Sequence, residues 1–225
     1  MIRRDYILRM IAEFMEAFAR MRSLKKGQQW KELSGELDVQ FKKLLGRGAP
    51  AVVQLSETEL LALLVEEGPT QAVREKTLVL TTLLMEAGDV AIAEQRANDG
   101  RNCYGKALNL LLDTLARGEA LECPEFVPKV DALLAALVGV ALPLPTQARL
   151  MQHYERLGEF AKAEDALFVM LDAEPENDAI VEFGLGFYQR LLSHSDSALQ
   201  AANLPRAEVQ EGLAELQRRQ NAKTN

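Results

Sequence analysis

Histidine is nearly absent from this chain of 225 residues, which carries an imidazole only at His153 and His194. General acid-base chemistry near neutral pH therefore lacks its commonest side chain. His153 has Leu157 one helical turn on, so no second ligand stands beside it for a metal. His194 lies in Ser193-His194-Ser195-Asp196, where hydroxyl, imidazole and carboxylate are neighbours in sequence. Triads are assembled in space, so the expectation there is a helix end with Ser195 or Asp196 capping the next helix. Cysteine is equally scarce. Cys103 and Cys123 stand twenty positions apart with no CxxC pair, which signals neither a zinc site nor a disulfide framework. Both are expected to be buried or half-buried free thiols in a reducing cytosol.

Other signatures are missing too. There is no GxxxxGK[ST] loop, no GxGxxG after a strand and no HExxH. These absences argue against nucleotide, dinucleotide and zinc-protease chemistry. No catalytic, cofactor-binding or metal-binding residue is expected, and the chain is expected not to be an enzyme. The longest apolar run, residues 132–142, is about half of what a bilayer span needs. The opening MIRRDYILRM places Asp5 and Arg9 among its apolar residues, unlike a secretory signal, so the expected location is cytoplasmic. No stretch alternates at period two, and Asp99-Gly100 sits inside a helical pattern rather than between apolar strands.

What the chain does have is 48% apolar residues with only 6% aromatic, a mixture dominated by alanine and leucine that suits helices. Its net charge of −7 is uneven. Residues 1–50 hold eleven Lys/Arg against six Asp/Glu, and the remainder holds fifteen against twenty-seven. Arg20, Arg22, Lys25, Lys26 and Lys31 are not interleaved with aromatics, and the acidic bulk would repel a phosphate backbone, so no nucleic acid is expected as partner. The asymmetry instead suggests two parts of the molecule that attract each other.

Helical periodicity runs through the whole chain. Over residues 3–26, Ile7, Ile11, Phe14, Phe18 and Met21 form a seam, widened by Leu8 and Met15. Gly27 ends it. Residues 30–45 carry Trp30, Leu33, Leu37, Phe41 and Leu44 on one side, and residues 46–50 read as a linker. Ser56 with Glu59 forms a capping box that opens a short helix to Val65, closed by Gly68-Pro69. A longer helix follows from Val73 past Gly88, paired with one carrying Tyr104, Ala107, Leu108, Leu111 and Leu115. Residues 124–142 read as an apolar, buried helix, stopped by Pro143 and Pro145. Residues 150–175 hold two apolar helical faces around a tight Leu157-Gly158-Glu159 turn. Residues 180–192 place Phe183, Phe187 and Leu191 on one face, with Gly184 and Gly186 marking close packing. A last helix over 205–217 ends in a polar tail expected to fray.

A lone helical hairpin cannot bury its own stripe, so neighbours must cover it. Leu150, Tyr154, Gly158, Phe160, Ala163, Leu167 and Pro175 resemble the tetratricopeptide repeat in a 34-residue register beginning at Leu144. Gln147 and Met151 depart from it. A second, degenerate unit resembles the same motif at Leu84, Gly88, Tyr104 and Ala107. There Gln95 and Gly100 replace the usual turn glycine and packing alanine, and a loose turn is expected. The opening MIRRDYILRMI, GKALNLLLD at 105–113 and LGEFAKAEDALF at 157–168 are similar to an uncharacterised bacterial family of tetratricopeptide-like helical hairpins. That resemblance implies the fold and carries no activity.

The expected fold is therefore all-α, a tetratricopeptide-like array of antiparallel hairpins forming a right-handed α-solenoid with degenerate repeats. Residues 1–48 form an amino-terminal hairpin, and 49–225 form the array, packed as one domain. The expected function is a non-enzymatic protein-protein interaction or scaffold. By the tetratricopeptide resemblance, the inner face of the central unit would carry Ala148, Gln152 and Glu155, with Arg149 and Arg156 beside them. Arg149, Gln152, Glu155 and Arg156 are thus the candidate contacts to a protein or peptide partner. Self-association through Phe14, Met15, Phe18 and Met21 of the first helix is a variant of that reading. The alternative is a small-ligand binder or enzyme with a pocket between helices near Gly184 and Tyr188. The adjacent carboxylates Glu66-Glu67 and Glu164-Asp165 read as solvated helix faces.

Overall fold

Every regular element among the residues that the computed structural model describes, 2–66, 70–117 and 123–224, is an α-helix. The all-α expectation holds in that form. The contacts divide the chain into two compact units, residues 1–140 and 141–225. The predicted stop at Gly68-Pro69 lies outside the described residues.

The first unit begins with α1 (Ile2–Lys26) and α2 (Trp30–Leu45), the hairpin drawn from the sequence over 1–48. Phe14, Ala17 and Met21 of α1 are buried, and Phe14 and Phe18 pack edge-on to Phe126 at 5.1 and 6.3 Å between ring centres. Of the residues considered for self-association, Phe14 and Met21 are thus covered from within the unit, whereas Met15 stays 55% exposed. The expected linker at 46–50 contains the start of a four-residue helix, α3 (Ala49–Val52). The capping box forms as read: Ser56 donates its backbone N–H to Glu59 Oε2 at 2.8 Å, and the Ser56 hydroxyl accepts from the Glu59 N–H at 3.3 Å. It opens α4 (Glu57–Glu66).

The centre of this unit is the pair α5 (Thr70–Ala93) and α6 (Ala97–Ala116), against which α1, α2, α4 and α7 (Val130–Ala136) pack. A Cβ at Gly88 would overlap the Tyr104 ring, so this glycine sets how closely the two long helices cross. The long buried helix expected over 124–142 does not form. Only α7 is helical there: Pro128 precedes it, Gly139 takes φ +79° beyond it, and Val138 is 80% exposed. Cys103 is buried as expected, but Cys123 is exposed.

The second unit contains α8 (Leu144–Leu157), α9 (Phe160–Ala173), α10 (Asp178–Leu191), α11 (Asp196–Ala201) and α12 (Arg206–Thr224). Seven positions of α10 are buried, from Ile180 to Leu191, on one broad face of the helix. That pattern belongs to a central helix, and α9 and α12 both pack on it. Gly184 is the close-packing site the sequence suggested, since a Cβ there would stand 2.6 Å from Leu216 and 3.0 Å from Leu167. Gly186 has only the Arg190 side chain near it. The tail expected to fray is instead helical as far as Thr224, with Arg218 and Arg219 paired to Glu215 at 3.0 and 3.1 Å. Ser195 caps α11, its hydroxyl accepting from the Ala198 N–H at 3.2 Å, as the helix-end reading of Ser193 to Asp196 requires.

One turn recurs. After α8, Gly158 takes φ +73°, its N–H donates to Glu155 O at 3.1 Å, and the next N–H donates back to Tyr154 O at 2.9 Å. This is a Schellman closure. The same two bonds follow α5, from Gln95 (φ +63°) to Ile92 and from Arg96 to Ala91. They recur after α1 at Gln28 (φ +54°) and after α11 at Asn203 (φ +55°). The residue after each of the first three turns is alike too, with ψ of 65° at Gln29 and 62° at both Arg96 and Glu159. The loose turn expected at Gln95 is therefore incorrect: the two backbone bonds hold it tight without glycine. A left-handed glutamine still carries a Cβ penalty. Gln95→Gly, at an exposed position, is expected to stabilise the fold by about 0.5–1 kcal/mol after the entropy lost by glycine is subtracted. Urea titration checks this, and an unchanged or lowered midpoint would contradict it.

Candidate functional site

The amphipathicity of α8 divides its side chains. Leu150 and Met151 are buried and Ala148 packs on the core, while Gln152, Glu155 and Arg156, three and four residues apart, share another face. Pro143 and Pro145 start this helix and Gly158 ends it. Across from that face, α10 presents Phe183 and Arg190, and the corner after α10 adds Ser193 and His194. Together these seven residues line an open groove of about 570 Å³.

The groove is held by a fork. Arg190 donates from Nε to Glu155 Oε1 at 2.6 Å and from Nη2 to Glu155 Oε2 at 2.9 Å, tying α10 to α8. Planar bidentate pairing is the strongest form of this contact. The hydrogen bond to Glu155 holds the Arg190 guanidinium above its ordinary range. Arg206 fixes the corner behind it, donating to the carbonyls of Leu192 at 3.1 Å and His194 at 2.5 Å while pairing with Asp196. The His194 ring packs on Phe160 at 4.9 Å. Arg156 is exposed and makes no ion pair with a described residue.

Three of the four candidate partner residues, Gln152, Glu155 and Arg156, thus come together, whereas Arg149 lies outside the groove lining. The sequence reading placed Phe183 on a helix face and Ser193 and His194 at a helix end, but assigned neither them nor Arg190 to a partner surface. Their signal would have been that α10 is the first helix after the α8–α9 hairpin, so that its face continues the one carried by α8.

Near Gly184 and Tyr188 the side chains are committed to packing. Tyr188 is 1% exposed and donates its hydroxyl to Glu164 Oε1 at 2.6 Å, and a Cβ at Gly212 would overlap its ring. Burial pushes the Glu164 carboxyl above its ordinary range, against the lowering effect of the Tyr188 hydrogen bond. Glu164 is therefore not the solvated carboxylate read from the sequence. The face of α9 that carries it turns toward α10 and α12, which helical periodicity alone does not reveal. A surface cavity of about 400 Å³ borders this pair. In the first unit, Cys103 lines a cavity of about 440 Å³, and burial pushes its thiol up to about 11. At neutral pH it is the protonated, poorly nucleophilic form. Among the described residues no group of three or more His, Cys, Asp or Glu is arranged to hold a metal. No helix among them is long and apolar enough to cross a membrane.

No curated protein matches the chain, and neither does any solved structure. A family described as of unknown function, DUF6483, matches over residues 1–221, and the chain belongs to that family.

Proposed function

We propose that the chain is a non-enzymatic interaction protein, a tetratricopeptide-like array of degenerate hairpins whose α8–α10 groove receives an extended acidic segment of a partner protein. The observation that carries this reading is the groove lining itself: two arginines and one glutamate around the half-buried Phe183. Glu155 is occupied by Arg190, so the uncompensated positive charge is that of Arg156. An acidic peptide complements it, and the aromatic floor accepts an apolar side chain between carboxylates. The repeat reading is supported by the Schellman turn shared after α1, α5, α8 and α11. A cytoplasmic, bacterial setting goes with it, supported by the resemblance of the MIRRDYILRMI opening and by two free cysteines.

Random peptide display on the immobilised full chain tests the reading. Enriched peptides are expected to be rich in Asp and Glu, and Arg156→Glu is expected to weaken their binding at least about tenfold, the effect of losing one charge-assisted contact and gaining a like charge. A selection without acidic enrichment, or an R156E variant that binds as well as the parent, would sink it. The alternative, a small-ligand site beside Tyr188, is favoured only by the adjoining cavity, since the Tyr188 hydroxyl and Glu164 already satisfy each other.

A further inference from the structure

Gly35 lies in the interior of α2, where glycine weakens a helix relative to almost any side chain. Neither of the usual reasons for keeping such a glycine applies. Its φ is not in the left-handed region, and a Cβ added there would meet nothing within 4 Å. Gly35 instead lines the cavity of about 440 Å³ that α2 shares with α3, α5 and α6. Leu37, Pro50, Val53, Val90 and Ala91 give this cavity hydrocarbon walls, and Cys103 lines it while only 2% exposed. The Cys103 thiol has no hydrogen-bond partner among the described residues. The charged groups of the lining are already committed. Asp38 pairs with Lys42 at 2.6 Å and accepts from the Ala49 N–H at 2.9 Å, and Arg96 donates to Asp99 at 2.7 Å and to Glu94 at 2.6 Å. The side chains of Ser34 and Gln54, by contrast, form no hydrogen bond with a described residue. The cavity thus offers hydrocarbon and uncharged polar groups, and no unpaired charge.

We propose that this cavity binds a neutral aromatic molecule of two-ring size that carries one hydroxyl or amide group. A flat ring rests directly on backbone left bare by Gly35 and against the wall formed by Val53, Val90 and Cys103, and its polar group meets Ser34 or Gln54 at the rim. Size sets the class. At the roughly 30 Å³ that a water occupies in the liquid, the cavity holds on the order of fifteen such groups, room for the about eleven non-hydrogen atoms of 2-naphthol. Charge sets the rest. An anion would meet the carboxylates of Asp38 and Asp99, and a cation would find both of them already paired, so either would be desolvated without a free partner.

Titration of the full chain with 2-naphthol, followed by the fluorescence of the naphthol, tests this against phenol, 2-naphthoate and 2-naphthylmethylammonium. The neutral two-ring alcohol is expected to bind at one site, at least about tenfold tighter than either charged analogue. Phenol, which lacks the second ring, should also bind at least about tenfold more weakly. Added salt should leave the naphthol affinity nearly unchanged, because no ligand charge is there to be screened. Gly35→Leu places a side chain in the open space over α2. It is expected to fold with a urea midpoint equal to or above that of the parent, since a glycine has been removed from a helix interior, and to lose at least about tenfold in naphthol affinity. Arg156→Glu, in the other unit, should leave naphthol binding untouched, which keeps this site separable from the peptide groove. Absence of 2-naphthol binding, a charged analogue that binds as tightly, or a folded G35L with undiminished affinity would each overturn the proposal.

Discussion

Phe187→Ala is expected to destabilise the protein by about 3–5 kcal/mol, read as a lowered urea midpoint with little change in slope. Phe187 is fully buried at the centre of α10, the helix that α9 and α12 both pack on, and its ring lies 5.3 Å from that of Tyr188. The core cluster it belongs to, with Met151, Leu167, Leu171, Leu191 and Leu199 among its members, is itself almost wholly buried. It sits on helices anchored at their own ends, by Gly158 after α8 and by the Arg206 fork after α10, and cannot collapse inward without moving them. The cavity term is therefore expected at the upper part of its range. Phe168→Ala provides the contrast. It removes the same ring from a position on α9 that is 41% exposed, and should cost under about 1 kcal/mol. Equal losses at the two positions would mean that α10 is not the core helix of this unit.

How legible this fold was in the sequence differs from residue to residue, and the differences have physical causes. The second helix was readable to the residue, because Trp30, Leu33, Leu37, Phe41 and Leu44 mark a single face and Gly46, at φ +68°, stops it. The capping box and the Ser195 cap were readable because each is satisfied within four residues. The turns at Gln28 and Gln95 were not. Two backbone bonds impose the left-handed conformation there, and a glutamine in such a place carries no compositional mark. The apolar run at 124–142 misled because alanine and leucine content says nothing of length; Pro128 and Gly139 leave only seven helical residues. The groove was half legible. Helical register brought Gln152, Glu155 and Arg156 to one face, but the fork from Arg190 joins residues 35 apart in sequence, and no local pattern connects them.

The charge asymmetry of the sequence finds one concrete expression at Lys25, and this residue carries the other large expected effect. Its ammonium donates to both oxygens of Glu86, at 3.1 and 3.0 Å, and to Asp89, whose other oxygen accepts the Tyr104 hydroxyl at 2.6 Å. One cation from α1 thus joins two carboxylates of α5 and, through one of them, α6. Burial opposes the charge on Lys25, but the hydrogen bond to Asp89 and the charges of Glu86 and Asp89 outweigh it and hold the group above its ordinary range. Burial dominates at Glu86, whose side chain is only 7% exposed, and pushes its carboxyl up in spite of Lys25. Lys25→Met would leave these two carboxylates facing each other with only the weaker field of Arg22 from α1 to offset them. Loss of one partner from a buried pair costs about 3–5 kcal/mol. Because Lys25 is a third exposed and water would enter, the expected cost at neutral pH is about 2–3 kcal/mol.

The pH dependence distinguishes this from a packing loss. A carboxyl whose folded pKa lies above its unfolded value near 4.5 binds its proton more tightly in the folded state, so stability falls as pH rises from that value to the folded one. Removing Lys25 raises the folded value of Glu86 further and widens that window upward. K25M should therefore lose stability over a broader span above pH 4.5 than the parent, and the gap between the two should narrow on acidification. Adding Glu86→Gln to K25M removes the buried charge itself and should recover at least half of the loss, with the coupling read from the double-mutant cycle. A K25M deficit that is constant from pH 4 to 8, or one that E86Q fails to relieve, would show that the methylenes of Lys25, not its charge, hold α1 to α5.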